Sequence, residues 1–211
     1  MSEKGIILAS GSPRRRKLLK EMGLKFTVIQ SRVKEDDCGE KPSATVKRNA
    51  LKKALFVSGL ETVAKKHANA VIIGADTMVV LKKNGLKKVL GKPKSFSDAE
   101  RILASLSGTT HTVYTGLAVI DSGSGKILKD YETSRVTMRK LSRRDVERAV
   151  KKHMDKAGAY GIQEKGDRFV KAVRGPVDNV VGLPCGKLLR MLRKFIPGLK
   201  IKLPAVGQAF I

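Results

Sequence analysis

Apolar and polar positions in this chain switch between strand and helix periods from one segment to the next. Gly5 to Ala9 is a continuous apolar run of the length that fits a buried strand. Ser10-Gly11-Ser12 turns the chain, with Ser12 as an expected N-cap and Pro13 at the first helical position. Leu18, Leu19 and Met22 then give a helix an inward face that ends near Gly23. Lys25 to Ser31 is expected as a second strand and Lys34 to Pro42 as a polar loop. Ser43 is expected to cap a helix with Val46, Ala50, Ala54 and Val57 on one face. Val71-Ile72-Ile73 is a strong strand signal that runs through Gly74-Ala75-Asp76-Thr77 to Leu81, and Asn84-Gly85 marks a hairpin turn. Ser97 to Glu100 has capping-box spacing ahead of a helix that buries Ala99, Ile102, Leu103 and Leu106 and stops at Gly108. Residues 110–121 and 127–138 predict two long strands around a turn at Ser122 to Gly125. Ser142 is expected to cap a further helix, with Asp145 in its first turn where the helix dipole favours an anion. Arg168 to Val173 reads as a strand and Cys185 to Phe195 as the last helix, followed by a weakly patterned tail. Hairpins and crossovers together predict an α/β fold with a mixed sheet flanked by helices.

Composition narrows the picture. The chain has 211 residues, 41% hydrophobic and 30% charged, which suits one globular domain spanning residues 1–211. Lys plus Arg is 44 against 19 Asp plus Glu, a net charge of +25 that favours polyanionic partners. No apolar run approaches the roughly 18 residues that span a bilayer, and the first residues carry no long apolar leader, so a cytoplasmic protein without membrane contact is expected. Cys38 and Cys185 are too few for a disulfide framework and are expected as reduced thiols. His67, His111 and His153 are too scattered for a metal cluster, and His111 is expected to be structural. Basic pairs such as Lys82-Lys83, Arg143-Arg144 and Lys151-Lys152 are spread along the chain. With no Trp and 4% aromatics, stacking platforms for nucleic acid are scarce, which leaves weak, salt-sensitive contact through basic faces.

Five segments are candidates for chemistry, each with a plain structural alternative. Ser10 to Arg16 joins a strand, a small-residue turn and a helix start, which makes an anion site or an ordinary turn beside a basic cluster. Asp76, set among apolar strand residues, must pair, bind metal, face a cleft or mark a strand break. Glu35-Asp36-Asp37 offers hard oxygen ligands of the kind Mg²⁺ takes, or a local charge balance. Gly91-Lys92-Pro93 either aims an ammonium at a cleft or is a turn. Lys156 to Gln163 is either a tight loop or a close approach to a planar ligand, with Gln163 offering both donor and acceptor to a base edge.

Taken in order, the segments resemble the Maf family of nucleoside triphosphate pyrophosphatases. The matching stretches are Leu8 to Arg15, Gly74 to Thr77, Gly91 to Pro93, Leu106 to Gly108 with His111 and Thr115, Lys156 to Gln163, and Val181 to Pro184. They cover about residues 5–195 and leave 196–211 as a C-terminal tail. The resemblance implies a central mixed sheet, two lobes around a deep nucleotide-binding cleft, and a homodimer. It implies hydrolysis of a nucleoside triphosphate to the monophosphate and pyrophosphate with a divalent cation, Mg²⁺ or Mn²⁺, in the service of nucleotide-pool house-cleaning. Asp76 matches the proton acceptor, and Arg14, Thr77 and Gln163 match positions tied to substrate choice. Ser10, Arg15, Glu35, Lys53 and Lys92 match other polar site positions, with the metal implied at Glu35 and Asp76. Asp76-Thr77 and Gly161-Ile162-Gln163 resemble the branch acting on dTTP and UTP. Family members often carry two adjacent glutamates where this chain has Lys34-Glu35, which makes Asp36 the candidate for a second loop carboxylate.

Overall fold

The apolar runs assemble into one seven-stranded mixed sheet in the computed structural model, which describes residues 4–36, 41–154, 156–162 and 169–205. In chain order the elements are β1 (Gly5–Leu8), α1 (Pro13–Glu21), β2 (Thr27–Val28), α2 (Pro42–Ser58), α3 (Glu61–Lys66), β3 (Ala70–Lys83), β4 (Leu86–Leu90) and α4 (Phe96–Leu106). There follow β5 (Thr110–Asp121), β6 (Ile127–Met138), α5 (Arg143–Lys152), a 3₁₀ turn at Ala157–Ala159, β7 (Val170–Arg174), α6 (Val177–Val181) and α7 (Cys185–Leu192). The strand order is β2-β1-β3-β5-β6-β7, with β4 also on β3. β1 runs parallel to β2 and β3, and the remaining pairs are antiparallel.

β3 organises the molecule. Val71, Ile73 and Ala75 pack with Leu18, Leu19, Leu188 and Leu192 of α1 and α7, whereas Val79 and Leu81 pack with Ile102 and Leu103 of α4 and Ala149 of α5. These alternate residues share one sheet face, so two cores sit side by side on it, with Thr77 between them. The other face carries α2, whose Ala50, Ala54 and Val57 pack with Ile72, Ala118 and Ile120. α2 lies very close to the sheet. A Cβ on Gly74 would stand 2.1 Å from the Ala50 carbonyl oxygen, and one on Gly116 would stand 2.2 Å from that of Val46. Missing side chains therefore let the helix backbone rest on β3 and β5.

The outer edge of β3 has a gap. β1 pairs with it up to Ile73, and its pairing with β4 begins only at Val79. From Gly74 to Met78 neither strand covers that edge, so residues of both faces reach the space beside it. The gap follows the C-terminal end of β1, the usual place for a crevice in an open α/β sheet.

Several boundaries differ from the sequence reading. Lys25 to Ser31 contributes only Thr27–Val28 as strand. The helix expected behind Ser43 starts at Pro42, with Lys41 at the N-cap position. The cap of α4 is Ser95, not Ser97: Ser95 Oγ accepts the Asp98 N–H at 3.1 Å, and Ser95-x-x-Asp98 meets the same spacing two residues earlier. Ser12 holds the N-cap position without a side-chain cap bond. The last helix ends at Leu192, and α3 and α6 were not expected. β3 pairs with β5 without interruption from Val71 to Val80, so Asp76 marks no strand break. The Asn84-Gly85 hairpin forms with both residues at positive φ (49° and 77°), and α5 carries the full capping box of Ser142 and Asp145. Asp37, Cys38, Gln163, Arg168 and the end of the tail lie outside the described residues.

Candidate active site

A cleft of about 520 Å³ opens at the gap in the β3 edge. Ser10, Arg14, Arg15, Glu35, Lys53, Asp76, Thr77 and Lys92 all line it, so eight residues singled out from the sequence meet in one place. Lys17, Lys156, Tyr160, Gly161 and Ile162 line it as well. Cations dominate the wall, and Glu35 and Asp76 are its carboxylates among the described residues.

Asp76 projects from the α2 face of β3 and is only 4% exposed. A buried carboxylate needs partners, and α2 supplies them at one-turn spacing. Lys53 Nζ donates to Asp76 Oδ1 at 2.7 Å, and Asn49 Nδ2 donates to Oδ2 at 3.1 Å. The same ammonium pairs with Glu35 Oε1 at 2.7 Å. Two carboxylates from distant segments thus converge on one cation. Burial pushes the Glu35 carboxyl up, but the charge and hydrogen bond of Lys53 outweigh it and hold the group below its ordinary value.

A second network lies on the opposite face of β3. Arg15 is buried and spans three segments: Nε donates to the Gly182 carbonyl at 2.8 Å, Nη1 to Ser10 Oγ at 3.0 Å and Nη2 to Thr77 Oγ1 at 3.0 Å. Thr77 Oγ1 also bonds Thr115 Oγ1 at 3.0 Å, and Thr115 Oγ1 donates to the Asn179 carbonyl. The guanidinium ties the turn after β1 to the centre of β3 and to the loop after α6. Arg14 and the exposed Lys92 stand at the cleft wall.

The far wall carries Tyr160, whose hydroxyl and His111 Nε2 lie 2.6 Å apart. Burial drives the His111 pKa down to about 4, so the ring is neutral near pH 7. His111 is a buried prop beneath this wall, as the strand pattern around it suggested.

Asn49 was missed in the sequence. The signal was a polar stripe, Thr45, Asn49 and Lys53 at four-residue spacing, buried beside the apolar face of α2. Asp36 is a correction of another kind. Its carboxylate is taken by Arg48 Nε at 2.7 Å and Lys52 Nζ at 2.6 Å, so it does not stand as a second free loop carboxylate. Among the described residues, no group of three or more His, Cys, Asp or Glu side chains is arranged to hold a metal.

The profile of the family described as Maf-like protein matches residues 5–195. This chain belongs to the Maf-like family. The dTTP/UTP pyrophosphatase of Dictyoglomus thermophilum is 44% identical over 196 residues, covering 91% of this chain and 96% of its own. That of Pelotomaculum thermopropionicum is 44% identical over 195 residues, covering 91% and 97%. That of Acetivibrio thermocellus is 42% identical over 199 residues, covering 90% and 94%. The matched span takes in the whole seven-stranded sheet and every described cleft residue named above, Ser10 to Ile162. No helix among the described residues is long and apolar enough to cross a membrane.

Proposed function

We propose that this chain hydrolyses dTTP and UTP, and modified pyrimidine nucleotides of the same shape, to the monophosphate and pyrophosphate. The observation that carries the reading is the buried Asp76–Lys53 pair at the floor of a cationic cleft, in a chain whose relatives bear that activity in their names.

A triphosphate brings about four negative charges, and Arg14, Lys92 and Lys53 are placed to neutralise them. Asp76 orients a water and takes its proton as the water oxygen bonds the α-phosphorus. The bond from that phosphorus to the bridging oxygen breaks, and pyrophosphate leaves with the electron pair. Lys53, donating to Asp76 Oδ1 at 2.7 Å, fixes that carboxylate at the cleft floor. Phosphoryl chemistry of this kind depends mostly on positioning and charge stabilisation.

The donor set fits a hard divalent cation. Glu35 and Asp76 already converge on one positive centre, and Mg²⁺ is commonly held by one or two carboxylates plus substrate phosphates. Mg²⁺ or Mn²⁺ held there would polarise the phosphate and make bound water more acidic. Arg15 sets Ser10 and Thr77 in place for substrate, and Thr77 with Gln163 reads the pyrimidine edge. The reading includes a cytoplasmic homodimer, with basic faces making weak, salt-sensitive contact with nucleic acid.

The test is turnover of a panel of canonical and modified nucleoside triphosphates with Mg²⁺ or Mn²⁺, measuring pyrophosphate and phosphate separately. Pyrophosphate from dTTP and UTP is the expected outcome. Release from purines alone reassigns the base pocket. No turnover, with tight salt-sensitive binding of DNA or RNA, overturns the enzyme.

A further inference from the structure

α2 delivers more to the cleft than Lys53. The amide of Asn49, buried one turn earlier, engages two separate segments. Its Nδ2 donates both to Asp76 Oδ2 at 3.1 Å and to the Asp36 backbone carbonyl at 3.2 Å. Its Oδ1 accepts the Asp36 backbone N–H at 2.9 Å. The Asp36 side chain returns to the same helix through Lys52 and Arg48, whose hydrogen bonds hold its carboxyl below the ordinary range.

We infer that Asn49 and Asp36 are positioning residues: together they latch the strand-to-helix loop onto α2, aim Glu35 at Lys53 and set the plane of the Asp76 carboxylate. This rests on the roles proposed above for Asp76 and Glu35. Glu35 itself is 52% exposed at its side chain, so burial does little to hold it. What fixes it is the next residue, whose N–H, C=O and carboxylate are all tied to α2. Both Asp36 oxygens are engaged by cations, so its charge is spent on the latch. Asn is suited to position 49 because it must donate and accept at once. Ala would leave Asp76 Oδ2 and the Asp36 amide without these partners, and Asp could accept but not donate.

Three readouts test the latch. Hydrogen exchange at the Asp36 amide, followed by NMR, should quicken about tenfold or more in Asn49→Ala, while amides in the core strands stay protected. An unchanged rate overturns the latch whatever reaction the protein performs. For dTTP turnover, Asn49→Ala should lower kcat/KM by about 10–100-fold, mostly in kcat, the size expected for one lost hydrogen bond to a charged group. Asn49→Asp, nearly isosteric but with a like charge beside Asp76, should be worse. The opposite ranking would mean that Asn49 only fills space.

Asp36→Asn and Arg48→Gln should each slow turnover, and the double variant should be no worse than the poorer single, because both break one latch. The Mn²⁺ concentration needed for half-maximal rate should rise far less than the tenfold or more, roughly, that loss of a metal ligand brings. Multiplying effects, with a raised Mn²⁺ requirement, would make Asp36 a ligand and overturn the inference. Asp36 is partly exposed, so its variants decide the matter if Asn49→Ala does not fold. A wild-type protein that turns over neither dTTP nor UTP defeats the proposed reaction and leaves the exchange result standing on its own.

Discussion

Asp76 and Asp145 are both nearly buried, 4% and 6% exposed, and both are bonded to basic side chains. Their neighbourhoods differ in origin. Asp145 is satisfied by Ser142, Arg139 and Arg148, all within six residues along the chain, in a capping box that closes the start of α5. Asp76 is satisfied by Asn49 and Lys53, 27 and 23 residues away, and it borders a cleft. A buried, ion-paired carboxylate is therefore not by itself a mark of chemistry. Asp145 spends its charge on a helix end, and Asp76 keeps its own beside space that a substrate can enter.

Rate and stability separate the two carboxylates. Asp76→Asn should lower the rate of pyrophosphate release by about 10²–10⁴-fold if it takes the proton, with a much smaller change in urea midpoint. Near-normal turnover would remove Asp76 from that role and erase the distinction from Asp145.

His111 extends the contrast to a buried group kept neutral. Its pKa lies at about 4 in the folded protein against an ordinary 6.5, so the unfolded chain binds the proton more tightly. Stability is then lost as pH falls from about 6.5 toward 4, by up to about 3 kcal/mol. Urea unfolding at several pH values should show that loss in the wild type and not in His111→Asn. Asp145 loses its contribution in a lower window. Hydrogen bonds from the Ser142 backbone and side chain, with Arg139, depress its pKa to about 2 from 3.8, and its stabilisation disappears as pH falls through that range.

Gly116→Ala should cost about 1–3 kcal/mol, because the new methyl meets the α2 backbone and must push it away. The same displacement withdraws Lys53 and Asn49 from Asp76, so turnover should fall as well. A destabilised variant with full activity would show that the close seating of α2 does not serve the site. Asp145→Ala should cost about 1–2 kcal/mol through loss of the cap and leave turnover of folded protein unchanged. A rate loss there would join α5 to the chemistry.

Much of this was legible in the residues wherever the controlling contacts are local. The turn from β1 into α1, the Asn84-Gly85 hairpin, the two long strands of β5 and β6 and the Ser142 box each follow from interactions among near neighbours. Ser95 competed with Ser97 for the same cap, a choice that local spacing leaves open. Cleft residues such as Ser10, Arg15 and Lys92, and their meeting in one cleft, were legible only through resemblance of ordered motifs; the contacts that hold them there were not.

By itself, then, the sequence determined the α/β class, most helices and strands, and the small set of polar residues with unusual neighbours. Backbone preference, capping and hydrophobic period act over a few residues, so they are written locally. The tertiary structure alone decided the uncovered edge of β3, the work of Asn49 and the assignment of Asp36 to α2 rather than to an open carboxylate pair. Those outcomes depend on how far β1 and β4 extend along β3 and on how closely α2 can approach two glycines in neighbouring strands. Hydrogen bonds reach only about 3 Å, so a helix lifted off the sheet by one methyl group would leave the same residues in the chain without the site they form.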